Sequence, residues 1–410
     1  MFLARREYFI MSKGANSPRI ETVDALRGFT LFGIILLHHI EHFDYYVEPA
    51  GLPEWLYLLD HGIWKSAVFF LAGKAYGIFA LLFGFTFYLQ SSRRETGDSS
   101  FEVKYLWRLF LLLLFGIFNS IFYKGDILVF YAILGPALLI VGKWSSRSVL
   151  IVALIFLVQP MHLITSLHIL ADPEYLAPAN ISGEYFMKTR ANNLLGSFTE
   201  QARQNLTNGK MAVFFWSLES GRIFKTVGLF FIGMLLGRQK RFDINNDNRR
   251  FWTRVFIISA LLFIPLFLSK VGVSKLSHDR DLTDNLKAIL NSWSNSAFML
   301  MVLSTFVFLY SKYDIQLDNL SLIGRMSLTS YIMQSVIGSF IYYNYGLGMH
   351  KYSGATYSLF IGIFLFILQF AFCKWWLATH KQGPLESLWR RAALIFQAKG
   401  NNIASGNTRS

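Results

Sequence analysis

Apolar stretches separated by short polar segments recur along the whole chain. The first covers about 23–40, and the later runs are 66–90, 105–123, 127–142, 148–170, 223–237, 252–273, 292–311, 321–345 and 355–379. A helix needs about 20 mostly apolar residues to cross the hydrocarbon core of a bilayer. The pattern therefore predicts an all-α fold, a polytopic membrane bundle of about ten transmembrane helices in a lipid bilayer.

The composition of the chain supports a membrane protein. Hydrophobic residues make up 53% of the 410 residues, aromatic residues 17% and charged residues only 16%. A soluble domain of average composition is much less apolar. The single cysteine, Cys373, excludes an intrachain disulfide and a thiolate metal site, so we expect no bound metal.

Basic residues are concentrated in alternate polar segments. The net charge is +14, yet the 41–65 segment carries five carboxylates against one lysine. Loops on the cytoplasmic side of membrane proteins carry an excess of Lys and Arg. We therefore place both termini in the cytoplasm, interpret the positive charge as a topology signal and expect no nucleic-acid partner.

A long polar segment at 171–222 interrupts the helical pattern and is expected outside the cytoplasm. Segments of this length are often functional. Within it, 185–198 and 211–218 are predicted to be amphipathic helices that lie along the membrane interface. The predicted division of the chain is a cytoplasmic tail at 1–20, five helices in 21–170, the extracytoplasmic loop at 171–222, five helices in 223–392 and a cytoplasmic tail at 393–410.

The start of the chain carries no recognisable cleavable signal peptide. The first apolar stretch follows about twenty residues and lacks a pattern of small residues for cleavage before its loop. We expect it to be a retained membrane anchor. A second methionine, Met11, begins an ordinary polar start, so residues 1–10 are interpreted as an upstream start-codon artefact.

Asp24, Arg27 and His38 lie in the first apolar stretch, VDALRGFTLFGIILLHH. Ionisable side chains inside a membrane helix are costly and often functional. Arg27 and His38 are eleven positions apart, which places both on one helical face about 16 Å apart. Asp24 lies on nearly the same face as Arg27, and we interpret Arg27 as an anion-binding group and His38 as a proton-transfer group. The alternative is an interfacial Asp24–Arg27 ion pair, with His38 hydrogen-bonded between helices.

Four further polar side chains inside apolar runs are candidates for substrate binding. Lys74, in AGKAYGIFALLFGFTF, is a lone cation that needs an anionic partner unless its side chain extends to the interface. Ser330 and Gln334 lie on one stripe of a predicted helix, where they either line a polar cavity or bond neighbouring helices. Arg325, at the start of that helix, is placed to bind a headgroup or a carboxylate.

Several sequence blocks resemble one family, the YeiB-like bacterial inner-membrane proteins, also called domain of unknown function 418. The similar blocks are DALRGFTLFGIILLH at 24–38, GKAYGIFALLFGFTF at 73–87, GLFFIGMLLGR at 228–238, GRMSLTSYIMQS at 324–335 and WWLATHKQGPLESLWRR at 375–391. The last two match the C-terminal signature of the family. The resemblance covers most of 20–392 and implies a multi-pass protein of the bacterial inner (plasma) membrane. The family has no assigned reaction.

The first-helix block is also similar to that of the broader transmembrane acyltransferase superfamily, in which an arginine precedes a histidine by the spacing of Arg27 and His38. The resemblance implies acyl-CoA as a co-substrate from the cytoplasm, with Arg27 near its phosphates or thioester and no tightly bound cofactor. His38 would act as general base on an acceptor hydroxyl, or as a transient acyl carrier. The acceptor would be a sugar, glycolipid or other envelope component, with 171–222 forming part of its site.

Two other classes of protein fit the same sequence. A carrier or exporter would line a path for a small polar or lipid-like substrate with its buried charges, although no internal repeat relates the two halves of the chain. A structural or regulatory membrane protein would use the polar stripe only to join helices. Loss of activity without loss of folding in His38→Ala is expected of the enzyme alone.

Overall fold

A computed structural model describes residues 20–93, 100–172, 174–175, 179–193, 196–275, 279–312 and 318–394. Within these ranges the chain forms helices and no strand. The helices are α1 (Glu21–Ile40), α2 (Glu54–Phe70), α3 (Ala75–Ser91), α4 (Phe101–Phe122), α5 (Leu128–Leu134), α6 (Ala137–Val141), α7 (Ser146–Leu157), α8 (Pro160–Ala171), α9 (Ile181–Asn193), α10 (Phe198–Gln204), α11 (Lys210–Glu219), α12 (Arg222–Arg238), α13 (Asn246–Gly272), α14 (Arg280–Lys312), α15 (Asp318–Arg325), α16 (Ser327–Tyr342), α17 (Ala355–Thr379) and α18 (384–394).

Six segments of the described chain are long and apolar enough to cross a membrane. They are α1, α2 with α3, α4, α13, α14 and α17. The number rises to eight if two bent pairs, α7 with α8 and α10–α11 with α12, each count as one span. The all-helical architecture is therefore as predicted, but the clear spans number six to eight rather than ten.

Glycines allow two pairs of helices to pack backbone against backbone. A Cβ added at Gly84 in α3 would collide with the carbonyl oxygen of Phe230 in α12, and one added at Gly233 would collide with that of Leu81. Gly28 in α1 and the α15 glycine at position 324 face each other's helix backbone in the same reciprocal way. Small residues at crossings permit such close approach between membrane helices.

Helices α3 and α12 run parallel. Their contacts advance together along both chains, from Tyr76 with Thr226 (3.2 Å between hydroxyl oxygens) to the Gly237 position, which abuts the ring of Tyr88. Helix α1 runs antiparallel to α3, since Arg27 near its start bonds Thr86 near the end of α3. The C-terminus of α1 and the N-termini of α3 and α12 therefore lie at one end of the bundle, here called the cavity end.

Three helix breaks also lie toward the cavity end. The α2–α3 break contains Gly73 (φ 76°), the α7–α8 break contains Gln159 (φ 65°), and the α11–α12 break contains Gly221 (φ 66°). The last two bend their helix pairs by 53° and 72°. These two breaks touch, because a Cβ on Gly221 would collide with the side-chain oxygen of Gln159.

The segment predicted as an extracytoplasmic loop is helical over much of its length. Helix α9 begins four residues before the predicted 185–198 helix, and α11 closely matches the predicted 211–218 helix. Helix α14 begins at Arg280, well before the predicted apolar run at 292, because polar residues continue the helix beyond the apolar stretch. Met11 and most of both predicted tails lie outside the described residues.

Candidate functional site

A cavity of about 1010 Å³ lies at the cavity end of the bundle. It extends down α1 as far as Ile34, which is about 9 Å below the end of that helix. Walls come from α1, the α2–α3 break, the residues after α4, the start of α12, and α13 with α14. The 171–222 segment contributes to the cavity through Phe186, Val213, Trp216 and Ser220. This volume is at the upper end of the range for small-molecule sites.

Cationic side chains outnumber carboxylates around the cavity. The cations are Lys65, Lys74, Lys124, Arg222, Lys225 and Lys270, and the carboxylates are Glu41 and Asp44. Arg222 is held between two rings, with its guanidinium carbon 4.1 Å from the centre of Tyr76 and 5.1 Å from that of Trp216. The arrangement favours an anionic ligand, because a concave, partly desolvated surface strengthens the field of its charges.

Lys74 and Lys225 are the most buried of these cations apart from Lys124, with 5% and 6% of their surface exposed. Lys225 donates a hydrogen bond to the backbone carbonyl of Ser292 (3.3 Å). Lys74 lies over the rings of Phe69 and Phe298, and neither lysine forms an ion pair within the described ranges. A buried ammonium without a carboxylate is costly, so these two positions are suited to an anion.

His38 lies in the cavity wall near the end of α1. Its ring contacts those of Tyr123 and Phe43, with centroids 4.7 and 5.4 Å away, and its Nδ1 has no hydrogen-bond partner in the described part of the chain. The adjacent His39 is fully buried and its Nδ1 lies 3.1 Å from the hydroxyl oxygen of Tyr342. Each of the two neighbouring histidines has a buried ring nitrogen without a partner in the described residues, Nδ1 of His38 and Nε2 of His39, but of the two only His38 lines the cavity.

A left-handed turn follows α1 at the cavity mouth. His42, Phe43 and Asp44 have φ values of 48°, 54° and 70°, a conformation that costs about 1–2 kcal/mol per residue for L-amino acids other than glycine. The turn is held by hydrogen bonds to Phe43, whose N–H donates to His38 O (2.8 Å) and whose carbonyl accepts from Tyr343 (3.0 Å). Strain of this kind concentrates at functional sites.

The turn brings two carboxyl groups to the cavity. Burial raises the pKa of Glu41, and the neighbouring charge of Asp44 raises it further, while Arg222 opposes the shift. Glu41 is therefore protonated over a wider pH range than an ordinary glutamate. This reduces the negative charge at the mouth and preserves the positive field inside.

Arg27 and Asp24 lie at the opposite end of α1 and do not line the cavity. The Arg27 guanidinium donates to the Asp24 carboxylate (2.8 Å) and to the Thr86 hydroxyl (2.6 Å). The pair is largely buried, with 22% and 12% of the two side chains exposed. Arg27 and His38 therefore lie on one helix, as predicted, but His38 lines the cavity and Arg27 does not.

Of the four predicted substrate-binding residues, only Lys74 lines the cavity. Ser330 and Gln334 face α17, where Gln369 bonds both the Gln334 side chain (2.8 Å) and the Ser330 carbonyl (2.9 Å). Arg325 donates to the carbonyl of Lys381 (3.4 Å), at the end away from the cavity. These contacts join helices, as the alternative interpretation of the polar stripe proposed.

Sequence reasoning missed several cavity residues, of which Arg222 and Lys225 are the most important. Lys225 stands inside the apolar run RIFKTVGLFFIGMLLG, which is the same signal that singled out Lys74. Arg222 and Lys270 stand at the ends of apolar runs, where cations ordinarily mark the membrane interface. Only the folded chain shows that these ends converge on one cavity.

The long apolar helices and the cavity between them define a membrane-type helical bundle with a cavity lined mainly by cationic side chains. Residues 236–395 match the family described as "Protein of unknown function (DUF418)". The chain is 27% identical to the uncharacterized protein YxaH of Bacillus subtilis (strain 168) over 405 residues, covering 93% of this chain and 95% of that protein. It is 25% identical to the uncharacterized protein YeiB of Escherichia coli (strain K12) over 417 residues, covering 93% and 98%. The chain is therefore similar to the DUF418 family over 236–395 and to YeiB over nearly its whole length.

A third relative also aligns with nearly the whole chain. The uncharacterized 39.9 kDa protein in the amylase 3' region of Bacillus acidopullulyticus is 25% identical over 394 residues, covering 92% of this chain and 94% of that protein. The family match begins near the end of α12, so it includes α13, α14 and α16 but not the His38 wall of the cavity. The relatives align with nearly the whole chain.

Proposed function

We propose that this protein is an inner-membrane acyltransferase that moves an acyl group from acyl-CoA to a hydroxyl acceptor in the cavity. The observation that carries the proposal is the position of His38, whose ring lies in the wall of a cavity lined by six cationic side chains. Acyl transfer needs a base for the acceptor hydroxyl and positive groups for the developing oxyanion, and both are present.

In the proposed reaction, His38 removes the proton from the acceptor hydroxyl. The hydroxyl oxygen forms a bond to the thioester carbonyl, the carbon–sulfur bond breaks, and His38 returns the proton to the CoA thiolate. Arg222, fixed between Tyr76 and Trp216, is the cation best placed to stabilise the oxyanion. Arg27 and Asp24 act at the other end of α1, where they position that helix.

The proposed topology has ten passes and both termini in the cytoplasm. Lys124 lines the cavity, whereas the Gly142 carbonyl accepts from Arg238 (2.8 Å) at the opposite end of α12, so the short Leu128–Val141 segment runs from one end of the bundle to the other. Helices α15 and α16 together make a similar pass. The glycine at position 324 in α15 abuts Asp24 at the start of α1, and Gly338 in α16 abuts Phe43 just after the end of α1. The cavity then faces the outside, together with the 171–222 segment, so the proposal requires the thioester of a cytoplasmic acyl-CoA to reach His38 through the helix bundle.

The proposal is tested by thiol release from acetyl-CoA by the purified protein in lipid nanodiscs, with glycerol, glucose and phosphatidylglycerol as hydroxyl acceptors. His38→Ala is expected to reduce the rate by a factor of about 100 or more, the usual contribution of a general base, with unchanged thermal stability. The matched control is His39→Gln, which is expected to lower thermal stability because it disturbs the packed contact with Tyr342 while retaining the rate. A rate retained in His38→Ala contradicts the proposal.

A carrier is the second candidate, and the helix breaks favour it. The breaks at Gly73, Gln159 and Gly221 lie beside the cavity, and transporters commonly build their sites from interrupted helices. Glycerol 3-phosphate counterflow in proteoliposomes without acyl-CoA would support this candidate. The carrier would retain transport in His38→Ala and lose it in Lys225→Met, whereas the enzyme would lose its activity in His38→Ala.

A further inference from the structure

We propose that the cavity binds the phosphate headgroup of a lipid through Lys74, Lys225 and Lys270, and that the lipid chains leave the cavity sideways between α2 and α13. This inference rests on the proposed function, since it assigns the hydroxyl acceptor to phosphate-bearing lipids. It draws on three independent features: the buried lysines, two helix N-termini and a phenylalanine wall.

The three lysines form one cluster of positive charge. Lys225 lies within electrostatic range of Lys74, and Lys74 within range of Lys270. Their partners in the structure are neutral: Ser292 O for Lys225, aromatic rings for Lys74 and the Asn291 side-chain oxygen (2.7 Å) for Lys270. A phosphate group supplies the negative charge and the acceptor oxygens that this cluster lacks.

Two helix N-termini strengthen the positive field at the lysine cluster. Helix α3 begins directly after Lys74, and α12 begins three residues before Lys225. The two helices run parallel and in contact, so the positive ends of their dipoles lie side by side at the cavity. Helix N-termini are common phosphate-binding positions, and here they coincide with buried lysines that have no ion-pair partner in the described ranges.

A wall of four phenylalanines separates the lysine cluster from the outer surface of α13. It consists of Phe69, Phe263, Phe267 and Phe298, which line the cavity, with the Phe69 ring 5.2–6.2 Å from each of the other three. All four side chains are half-buried, and most of the large apolar side chains elsewhere in α13 are exposed. Rings can rotate aside more readily than a packed helix can move, so lipid chains would pass here from the bilayer.

The experiment measures lipid binding by native mass spectrometry of the full chain released from detergent micelles. The probes are dioleoyl phosphatidic acid, dioleoyl phosphatidylcholine, inorganic phosphate and acetyl-CoA. Phosphatidic acid is expected to bind at least tenfold more tightly than the other three. Lys74→Met and Lys225→Met are expected to lose at least tenfold in its affinity, whereas the control Lys143→Met, an exposed lysine paired with Glu102, retains it.

The remaining arms distinguish the sources of phosphate and the two proposals. Phe267→Ala is expected to change phosphatidic acid binding but not that of inorganic phosphate. Equal binding of phosphatidic acid by wild type and both lysine variants overturns the inference, as does tighter binding of acetyl-CoA or inorganic phosphate. His38→Ala is expected to retain lipid binding. Phosphatidic acid reports binding only, because it has no free alcohol hydroxyl, whereas phosphatidylglycerol that binds without any acyl transfer refutes the enzyme alone. Acyl transfer to phosphatidylglycerol that is insensitive to Lys74→Met and Lys225→Met refutes the lipid site alone.

Discussion

The two ends of α1 treat charged side chains in opposite ways. At its start, Arg27 is bonded to Asp24 and Thr86, and Gly28 faces the backbone of α15. At its end, His38 has an unpartnered ring nitrogen within the described chain and faces a cavity lined by six cationic side chains. At one end of α1 the charged side chains are paired and packed, and at the other end the helix lines an open cavity whose cationic side chains outnumber its carboxylates.

This difference separates structural charge from functional charge. A buried charge that is paired and hydrogen-bonded locally serves the fold, and its removal leaves the partner uncompensated. Buried cations without carboxylate partners reduce stability, and a protein retains them where a ligand provides the missing charge. By this criterion the candidate functional site lies at the cavity end, and the charges at the Arg27 end stabilise the fold.

The largest expected effect on stability is at the paired end. Arg27→Met leaves Asp24 without its partner and is expected to destabilise the protein by about 3 kcal/mol, at the lower end of the range for a broken buried pair. Thermal melting in detergent checks this. The double variant with Asp24→Asn is expected to recover part of the loss, and melting unchanged in Arg27→Met would show that the pair is dispensable.

An effect of opposite sign is expected at the cavity end. Lys225→Met replaces an ammonium that is 6% exposed by an apolar side chain of similar length, so it is expected to raise stability by at least about 1 kcal/mol. The same melting assay checks this, with exposed Lys143→Met as the neutral control. A fall in stability would mean that the contacts of the Lys225 ammonium stabilise the protein without a ligand. The two ends of α1 would then not differ in how their charges affect stability.

The smallest expected effect is a pH dependence that originates beside the left-handed turn. Burial lowers the pKa of His42 to about 3, with His350 and His39 adding to the shift. In the unfolded chain the His42 imidazole has its ordinary pKa of 6.5 and binds a proton below that pH, whereas in the folded chain it stays neutral. The free energy of unfolding therefore falls as the pH drops below 6.5, by about 1.4 kcal/mol per pH unit.

Melting temperatures at pH 7.5 and 5.5 measure this dependence. His42→Gln is expected to be less stable at the higher pH, because it disturbs the 2.8 Å hydrogen bond with Ser358, and to lose less stability on acidification. The exposed His61→Gln serves as the control and is expected to retain the wild-type slope. An unaltered slope in His42→Gln would assign the pH dependence to another group.

The membrane-type helical architecture could be predicted from the sequence because the apolar runs are long and separated. The short Leu128–Val141 segment and the broken α7–α8 pair could not be fixed as spans, since their length is marginal and the bend at Gln159 depends on tertiary contacts with Gly221 and Ser292. The number of membrane spans is therefore hardest to predict from the sequence where the chain surrounds the cavity.

For the candidate site, sequence reasoning identified isolated charges but could not assign their partners. His38 and Lys74 were found because each interrupts an apolar run, and both line the cavity. Ser330 and Gln334 gave the same kind of signal, yet they bond α17. Whether a polar side chain in a membrane helix faces a neighbour or a cavity depends on helix packing, which one sequence does not encode locally.

The reciprocal glycines between α3 and α12 also restrict how this molecule can move. Because Gly84 and Gly233 each seat a backbone carbonyl of the other helix, a slide of either helix by one residue would drive side chains into backbone. Helices α3 and α12 are therefore expected to move together as one rigid unit. The α13–α14 hairpin, which contributes Phe263, Phe267 and Phe298 to the cavity wall, is not held by these two glycines and is expected to move more readily than α3 and α12 when a ligand enters or leaves.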